Sequence, residues 1–352
     1  MHNLSVSGVS VKGVAASVPK NREDNLELAT LSDKAKREIV EQVGIRYRYV
    51  ADDQTTAADL CIHATTNLLE ELAWKSDEIE LLVFVSQTPD HLVPGTATQI
   101  QDKLGLPTNC ICLDINQGCA GYVYGLSVMA GMMRSFGLKR GLLLVGDTIT
   151  KMISKKDNSL RPVFSDAGTA TAVEFDESSD SEMVFRLGSK GAAFKSIYTD
   201  AGGYRNPIDE DSLKVKKVSE GVSRQQNHLS MNGQAVFSFG LSTVASEISE
   251  LLKSQGKSAV DIDKIVLHQA NQLLINSIVR KVGFDKTQAP SSLSDFGNTS
   301  CATIPVTLVS QLHNELKTSK QTMLLCGFGV GLSWGNVILT TENITCPELS
   351  FY

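Results

Sequence analysis

A cysteine at a predicted strand-to-helix turn is the residue of this chain best suited to nucleophilic chemistry. Cys119 lies between Gly118 and Ala120, after a short apolar strand that begins at Cys110. The stretch that follows is rich in Ala, Gly, Met and Leu and predicts a buried helix ending near Gly137. Unpaired N–H groups at a helix N-terminus lower the pKa of a thiol, so we expect a reactive thiolate. From its position alone, a plain buried cysteine is the commoner alternative.

Three further segments place polar groups or glycines where predicted strands end. His268 directly follows the strand at 265–267, and open α/β sheets bind ligands at such strand ends. Asn298 lies in a turn before a helix, where asparagine is also a common cap or turn former. The glycines of residues 326–331 follow another buried strand and allow backbone N–H groups to face an oxyanion. Each of these three signals is weak alone. A buried histidine, for example, is often structural.

Composition narrows the class of protein. With 352 residues, 42% of them hydrophobic, the chain predicts two domains or one large duplicated α/β unit. A net charge of -6 without a long Lys/Arg block argues against nucleic acid as the main ligand. Seven cysteines without paired spacing indicate thiols in a reducing compartment. Because no signal sequence and no apolar run of membrane-spanning length is evident, the sequence predicts a cytoplasmic protein.

Apolar strands alternate with amphipathic helices, a pattern typical of a largely parallel sheet covered on both faces. The predicted strands cover residues 4–18, 81–85, 110–113, 142–145, 169–175, 264–267, 322–325 and 337–340. The predicted helices cover residues 34–42, 56–75, 95–105, 119–137, 234–254 and 302–316, and another follows residue 271. The mostly polar region 176–229 is expected to connect two halves and to lie over a substrate entrance.

Taken together, in this order and spacing, these segments resemble the β-ketoacyl-acyl carrier protein synthase III family of the thiolase superfamily. The matching segments are the turn at Cys119 and residues 44–46, 99–101, 268–271, 297–300 and 329–335. The resemblance covers essentially the whole chain. It implies a thiolase-like five-layered αβαβα fold of two duplicated halves, usually in a homodimer. Residues 1–175 would carry the nucleophilic cysteine, and residues 176–352 the histidine, the asparagine and the glycine-rich oxyanion turn.

The same resemblance implies a mechanism of decarboxylative Claisen condensation, in fatty-acid or specialised lipid and polyketide biosynthesis. Cys119 would attack an acyl thioester and carry the acyl group, while the backbone N–H groups of Cys119 and Val330 hold the oxyanion. A malonyl thioester would then lose carbon dioxide, and His268 and Asn298 would stabilise the enolate oxygen. Thioesters of acyl carrier protein or of coenzyme A are the implied substrates, with no metal or cofactor.

Two alternatives share this site. The first is an acyltransferase that passes the acyl group to an amine or alcohol without decarboxylation. The second is a thiolase, which would use another cysteine near the C-terminal glycines, where Cys326 is the candidate. We favour an ordinary core role for Cys326 because Asn298 fits the condensing pattern. A binding module without activity is the weakest alternative, since the nucleophile and its partners are all present.

The chain departs from the family at several positions that contact coenzyme A. Glu38 and Gln42 stand where priming synthases carry the Trp and Arg that grip adenine, and Leu273 replaces an Arg. The family's Gly-Asp-Gly turn is Ser-Asp-Ala at residues 165–167. Fewer stacking and cationic contacts weaken coenzyme A binding. The sequence therefore predicts a donor carried by acyl carrier protein, or a different mode of coenzyme A binding.

Two further pairs of residues correspond to functional positions of the family. Arg280 and Lys281 lie on the helix after His268, where the family docks the acidic carrier protein, although a solvated helix end is the alternative. Leu92 and Val93 match residues at the end of the acyl pocket, contributed across the dimer. Val93 is smaller than the Phe often found there, which predicts a longer or bulkier acyl chain.

Overall fold

Strands and helices alternate along much of residues 3–352, the part of the chain that the computed structural model describes. The strands are β1 Leu4–Ser7, β2 Val9–Val18, β3 Arg22–Asp24, β4 Tyr47–Tyr49, β5 Leu81–Val85, β6 Ile111–Ile115, β7 Arg140–Asp147, β8 Ala167–Phe175, β9 Glu182–Ser189, β10 Ile197–Thr199, β11 Lys216–Ser219, β12 Val222–Arg224, β13 Leu229–Met231, β14 Lys264–Leu267, β15 Lys320–Gly329, β16 Ser333–Glu342 and β17 Ser350–Phe351. The helices are α1 Asp33–Glu38, α2 Ala57–Leu72, α3 Thr96–Lys103, α4 Gly121–Phe136, α5 Gly233–Phe239, α6 Ala245–Ser254, α7 Gln272–Lys281, α8 Leu293–Phe296, α9 Thr303–Gln311 and α10 His313–Thr318.

The larger strands form two mixed sheets. The first sheet has the order β17-β2-β8-β7-β5-β6, and the second has the order β1-β9-β16-β15-β14. Strands β7, β5 and β6 run parallel, as do β14 and β15, but β8 and β16 pair antiparallel with their neighbours. The prediction of a largely parallel sheet is therefore wrong. An all-apolar strand shows only that both faces are buried, and that holds for either direction of pairing in a covered sheet.

Helices cover both faces of both sheets, which gives five layers. Helices α4 and α9 lie between the sheets, in the largest apolar core. Helices α2 and α3 cover the outer face of the first sheet, and α6 and α7 cover that of the second. This arrangement confirms the predicted thiolase-like αβαβα fold.

The polar region 176–229 contains more structure than the sequence predicts. Strand β9 lies here, pairs with β16 and β1, and buries Met183 and Phe185. The prediction that the region 176–229 is only a connection and a surface excursion is therefore wrong. The alternating apolar residues of β9 form a short run with polar residues on both sides, which hid the strand in the sequence. The two sheets also exchange chain ends, since β1 joins the second sheet and β17 joins the first. The proposed division at residue 175 stays a prediction.

The described helix Gly233–Ser254 is long and apolar enough to cross a membrane by length and composition. A π-helical turn at Gly240–Val244 joins its two α-helical parts. The sequence predicts no such run, because serine and glutamate interrupt its apolar residues. Val244, Ile248 and Leu251 of this helix are buried in the core beside the second sheet. Its most apolar face therefore already packs against protein.

Helix α2 packs closely on the first sheet at Gly168, and this position supplies a test of the packing. A Cβ atom at Gly168 in β8 would lie 2.5 Å from Leu60 Cβ and would overlap the backbone of Cys61 in α2. We expect Gly168→Ala to lower the free energy of unfolding by about 2–3 kcal/mol, the upper part of the range for overpacked cores. Urea-induced unfolding measures the change.

Gly131 is the matched control, because it lies within α4 and an added Cβ there meets nothing within 4 Å. Gly131→Ala is expected to stabilise the protein by about 0.5–1 kcal/mol through helix propensity. Equal effects of the two alanines on unfolding would contradict the close packing of β8 against α2.

Candidate active site

The sulfur of Cys119 lies where the central helix meets the second sheet. Cys119 immediately precedes the first turn of α4, where the Gly121 N–H donates to Gly118 O at 2.6 Å. The end of β15 packs directly on it, since a Cβ at Gly329 would lie 2.7 Å from the Cys119 sulfur. Cys119 is buried, and its side chain lines an internal cavity. The strand-to-helix turn predicted from the sequence is confirmed.

Two backbone donors converge on this sulfur. The N–H groups of Val330 and of Cys119 itself hydrogen-bond to the thiol and act to lower its pKa. Val330 occupies this place because it directly follows Gly329, at the end of β15. The two N–H groups that the family resemblance assigns to the oxyanion therefore lie beside the reacting atom.

Burial sets the charge state of the site. It raises the pKa of Cys119 to about 11, and the hydrogen bond from the Val330 N–H offsets only part of this. Burial also lowers the pKa of His268 to about 3. At neutral pH the resting pair is therefore a neutral thiol and a neutral imidazole. The prediction of a thiolate is wrong, because desolvation outweighs the donors at the start of α4.

His268 is held at the C-terminal end of β14. Its N–H donates to Cys326 O at 2.8 Å, which continues the parallel pairing of β14 with β15. Its Nδ1 atom lies 2.7 Å from Thr303 Oγ1. The rings of His268 and Phe328 pack edge to face. The ring is buried and lines the same cavity as Cys119. Within residues 3–352, Nε2 has no hydrogen-bond partner, which leaves this nitrogen for a substrate.

Asn298 is fixed by backbone pairing and by its own amide. Its N–H donates to Val163 O at 3.0 Å, and its carbonyl accepts from Ser165 N–H at 3.0 Å. The side-chain oxygen Oδ1 accepts from Ser300 N–H at 3.0 Å. This contact assigns the amide orientation, because Nδ2 cannot accept a hydrogen bond. The two Nδ2–H donors therefore remain for the cavity that Asn298 lines.

The cavity joins these groups to an apolar wall. Cys119, His268, Asn298 and Val330 all contribute to its lining. Apolar side chains form most of the remaining wall, among them Ile149, Phe164, Ile197, Leu229, Met231 and Phe237. Two of these, Ile197 and Leu229, come from the region 176–229, so this region contributes to the wall of the cavity. Such a wall suits the hydrocarbon part of an acyl thioester.

Other predicted residues lie apart from this cavity. Leu92 and Val93 are 78% and 79% exposed and do not line the cavity of their own chain, so a role across a dimer stays a prediction. Arg280 and Lys281 are exposed at the end of α7, and Lys281 Nζ donates to a backbone carbonyl at 2.7 Å. Cys326 is fully buried outside the cavity, and burial raises the pKa of its thiol.

Sequence reasoning missed three residues that shape the site. Thr303 contacts the His268 ring, Phe328 packs against it, and Ser300 holds the Asn298 amide. Ser300 has a left-handed φ of 56°, a conformation that L-residues seldom adopt outside constrained sites. Their proximity to the cysteine, histidine and asparagine motifs is the signal that could have identified them, although no residue type among them points to catalysis by itself.

The layered fold, with a cysteine at the N-terminus of its central helix, defines a thiolase-fold enzyme. A family model described as 3-oxoacyl-(acyl-carrier-protein) synthase III matches residues 113–191. The model of the C-terminal part of the same family matches residues 252–341.

Similar proteins agree with these matches. A putative 3-oxoacyl-(acyl-carrier-protein) synthase 3 of Campylobacter jejuni is 30% identical and covers 97% of this chain and 96% of its own length. A β-ketoacyl-(acyl-carrier-protein) synthase III of Streptococcus sanguinis is 29% identical over 94% of this chain and 98% of its own. The crystal structure of a Burkholderia xenovorans 3-oxoacyl-(acyl-carrier protein) synthase has a TM-score of 0.92 and 34% identity, covering 100% and 99% of the two chains. This chain belongs to the 3-oxoacyl-(acyl-carrier-protein) synthase III family, and it is a condensing enzyme of the acyltransferase class.

The raised pKa of Cys119 predicts the pH dependence of its alkylation. Only the thiolate reacts with iodoacetamide, and a thiol with a pKa of about 11 is neutral at pH 7. The rate should therefore rise about tenfold per pH unit from pH 6 to 9 without reaching a plateau. Mass spectrometry of the peptide that contains Cys119 measures this rate separately from the other thiols. A plateau below pH 8 would show a thiolate–imidazolium pair and would contradict the assignment.

Proposed function

We propose that this enzyme condenses an acyl thioester with a malonyl thioester through an acyl-Cys119 intermediate and releases a β-ketoacyl product. One observation carries the proposal. A single apolar cavity holds the Cys119 sulfur, two backbone donors at that sulfur, and the side chains of His268 and Asn298. A set without a carboxylate base fits condensation, because decarboxylation rather than deprotonation generates the carbanion.

In the first half-reaction the sulfur of Cys119 attacks the thioester carbonyl. The new C–S bond leaves a negative charge on the carbonyl oxygen, which the N–H groups of Cys119 and Val330 can accept as an oxyanion. Collapse breaks the old C–S bond, and the departing thiolate takes the proton that the Cys119 thiol loses. The site remains neutral at the start and end of this step, consistent with the raised pKa of the thiol.

In the second half-reaction a malonyl thioester loses carbon dioxide. The electron pair of the broken C–C bond forms an enolate, whose oxygen is stabilised by N–H donors of Asn298 and His268. Burial keeps the pKa of His268 low, so the ring donates as a neutral imidazole. The enolate carbon then attacks the acyl carbonyl on Cys119. A new C–C bond forms, the C–S bond to Cys119 breaks, and the departing thiolate takes a proton from water.

A turnover assay with a labelled malonyl thioester and an acyl thioester tests this function. The wild-type enzyme is expected to add the acyl mass to Cys119, release labelled carbon dioxide and form the β-ketoacyl product. Cys119→Ala should remove the adduct and lower product formation by at least about a thousandfold, as loss of a covalent nucleophile does. Acyl transfer to an amine or alcohol without carbon dioxide release would instead identify the non-decarboxylating acyltransferase.

The control for this assay is Cys326→Ala. Cys326 is buried in the core outside the cavity, so its removal should leave product formation per folded enzyme within about threefold. This follows because the substitution changes packing without changing a reacting group. A loss as large as that of Cys119→Ala would support a thiolase-type second cysteine instead.

We further propose that the acyl donor is carried by acyl carrier protein. A groove lined by Glu38, Gln42 and Glu220 shares Val163 with the active-site cavity. No lysine or arginine lines this groove among the described residues, although Lys34 lies 3.8 Å from the Glu38 carboxylate. Two carboxylates in this groove disfavour, by like-charge repulsion, the adenosine phosphates of coenzyme A, which a carrier-borne donor lacks.

A double charge reversal tests the docking site on α7. Arg280→Glu with Lys281→Glu should raise the KM for a carrier-borne substrate about tenfold or more, since rim charges steer an acidic partner. The KM for an N-acetylcysteamine thioester should stay constant, because it has no carrier protein. Steady-state kinetics with both substrates measure the difference.

Lys317→Glu with Lys320→Glu is the matched control. Both lysines are exposed, and β15 begins at Lys320 and reaches the Cys119 sulfur only at its other end. This pair changes the net charge equally, and it lies at the end of β15 that is opposite Cys119. An equal rise in KM for both pairs would show a general charge effect and remove the docking proposal.

We also propose that the protein is a cytoplasmic homodimer. Strand β6 forms an edge of the first sheet, and Ile111 on it is 39% exposed. An unpaired edge with exposed apolar side chains favours pairing with a second copy. Leu92 and Val93 are exposed and would be free to reach a partner's acyl pocket. All seven cysteines are free thiols, which fits a reducing compartment.

A further inference from the structure

A short chain of polar contacts links the two candidate donors of the enolate. Ser300 N–H donates to Asn298 Oδ1 at 3.0 Å. The carbonyl of the same Ser300 lies 3.2 Å from Thr303 Oγ1, and Thr303 Oγ1 lies 2.7 Å from His268 Nδ1. Ser300 and Thr303 are both buried, so water does not compete for these contacts. One turn of backbone therefore orients both side chains.

The single proton of the Thr303 hydroxyl has two acceptors within reach, Ser300 O and His268 Nδ1. Hydrogen bonds between a hydroxyl and an oxygen normally span about 2.5–3.0 Å. The 3.2 Å contact to Ser300 O lies beyond this range, whereas the 2.7 Å contact to His268 Nδ1 is short. The distances therefore assign the hydroxyl proton to the bond with Nδ1. In that bond Thr303 donates and the ring nitrogen accepts.

We propose that Thr303 is a positioning residue that holds the His268 proton on Nε2, the ring nitrogen left for the cavity. A neutral imidazole carries one N–H, so accepting at Nδ1 requires the proton to lie on Nε2. His268 then offers a donor rather than an acceptor to the substrate. This inference rests on the proposed function, in which His268 and Asn298 donate to the enolate oxygen.

The assignment separates the two half-reactions. Acyl transfer to Cys119 uses the backbone donors of Cys119 and Val330, whereas the Thr303 hydroxyl contacts His268 and Ser300. Decarboxylation creates the enolate that needs the Nε2–H donor. Loss of the Thr303 hydroxyl would free the ring to place its proton on Nδ1, which leaves a lone pair facing the enolate. Thr303 therefore acts on the second half-reaction.

Thr303→Val tests the proposal, because valine keeps the shape of threonine without its hydroxyl. We expect decarboxylative condensation to fall about 10- to 100-fold, the range found when the hydrogen-bond partner of a metal-bound histidine is lost. Acyl-Cys119 formation, measured by mass spectrometry in the absence of malonyl thioester, should stay within about threefold. Thr303→Ser restores the hydroxyl and should recover most of the condensation rate.

Thr307→Val is the matched control on the same helix. Thr307 is also buried, and its hydroxyl bonds to Ser292 Oγ at 2.8 Å and to Thr303 O at 2.8 Å without contacting His268. It should leave the ratio of condensation to acylation unchanged. A Thr303→Val enzyme with the wild-type ratio, or a Thr307→Val enzyme with the same loss, would overturn the positioning role.

The histidine tautomer can be observed directly by nitrogen-15 NMR of the labelled imidazole, with His268→Asn used to assign its signals. The wild-type ring should show a protonated Nε2 and an unprotonated Nδ1 at pH 7, and Thr303→Val should change this pattern. A wild-type ring protonated on Nδ1 overturns the inference. If no thioester acylates the wild-type enzyme, the proposed function fails instead, whatever tautomer the NMR spectrum shows.

Discussion

The approach of β15 to the N-terminus of α4 is the constraint on which the site depends. A Cβ at Gly327 would lie 2.8 Å from Ala120 Cα, and one at Gly329 would lie 2.7 Å from the Cys119 sulfur. Strand β15 belongs to the second sheet, whereas α4 lies between the two sheets. Glycine in β15 therefore allows the second sheet to meet the start of the central helix at Cys119, and this contact brings the Val330 N–H to the sulfur.

Burial at this contact determines the chemistry that the site can support. Removal from water raises the pKa of Cys119 and lowers the pKa of His268, so neither group carries a charge at rest. The same low polarity strengthens hydrogen bonds to a charge that develops during reaction. A site built of neutral donors therefore stabilises an oxyanion or enolate without first separating charge. Buried Thr303 is consistent with such a neutral site, because its hydroxyl orients the His268 ring without adding a charge.

The fold and the main site residues were predicted from the resemblance to the condensing-enzyme family, whose motifs occur here in the same order and spacing. Local periodicity placed Cys119 before a helix and His268 after a short apolar strand, but each of these signals was weak alone. The direction of strand pairing and strand β9 could not be predicted, because they depend on contacts between distant segments. The prediction of the charge state of Cys119 was wrong for a related reason. Local sequence indicates the helix N-terminus but not how deeply tertiary packing buries it.

The reacting groups and the apolar wall of the cavity are held by different parts of the molecule. Cys119 and His268 lie at the ends of α4 and β14, whose positions follow from sheet and helix geometry. Three residues of the wall, Ile197, Leu229 and Met231, instead lie on β10 and β13, which form a small two-stranded sheet of their own. Side chains of this small sheet can change without altering the pairing of the two large sheets. Such changes would reshape the cavity around an acyl chain while the reacting groups stay in place.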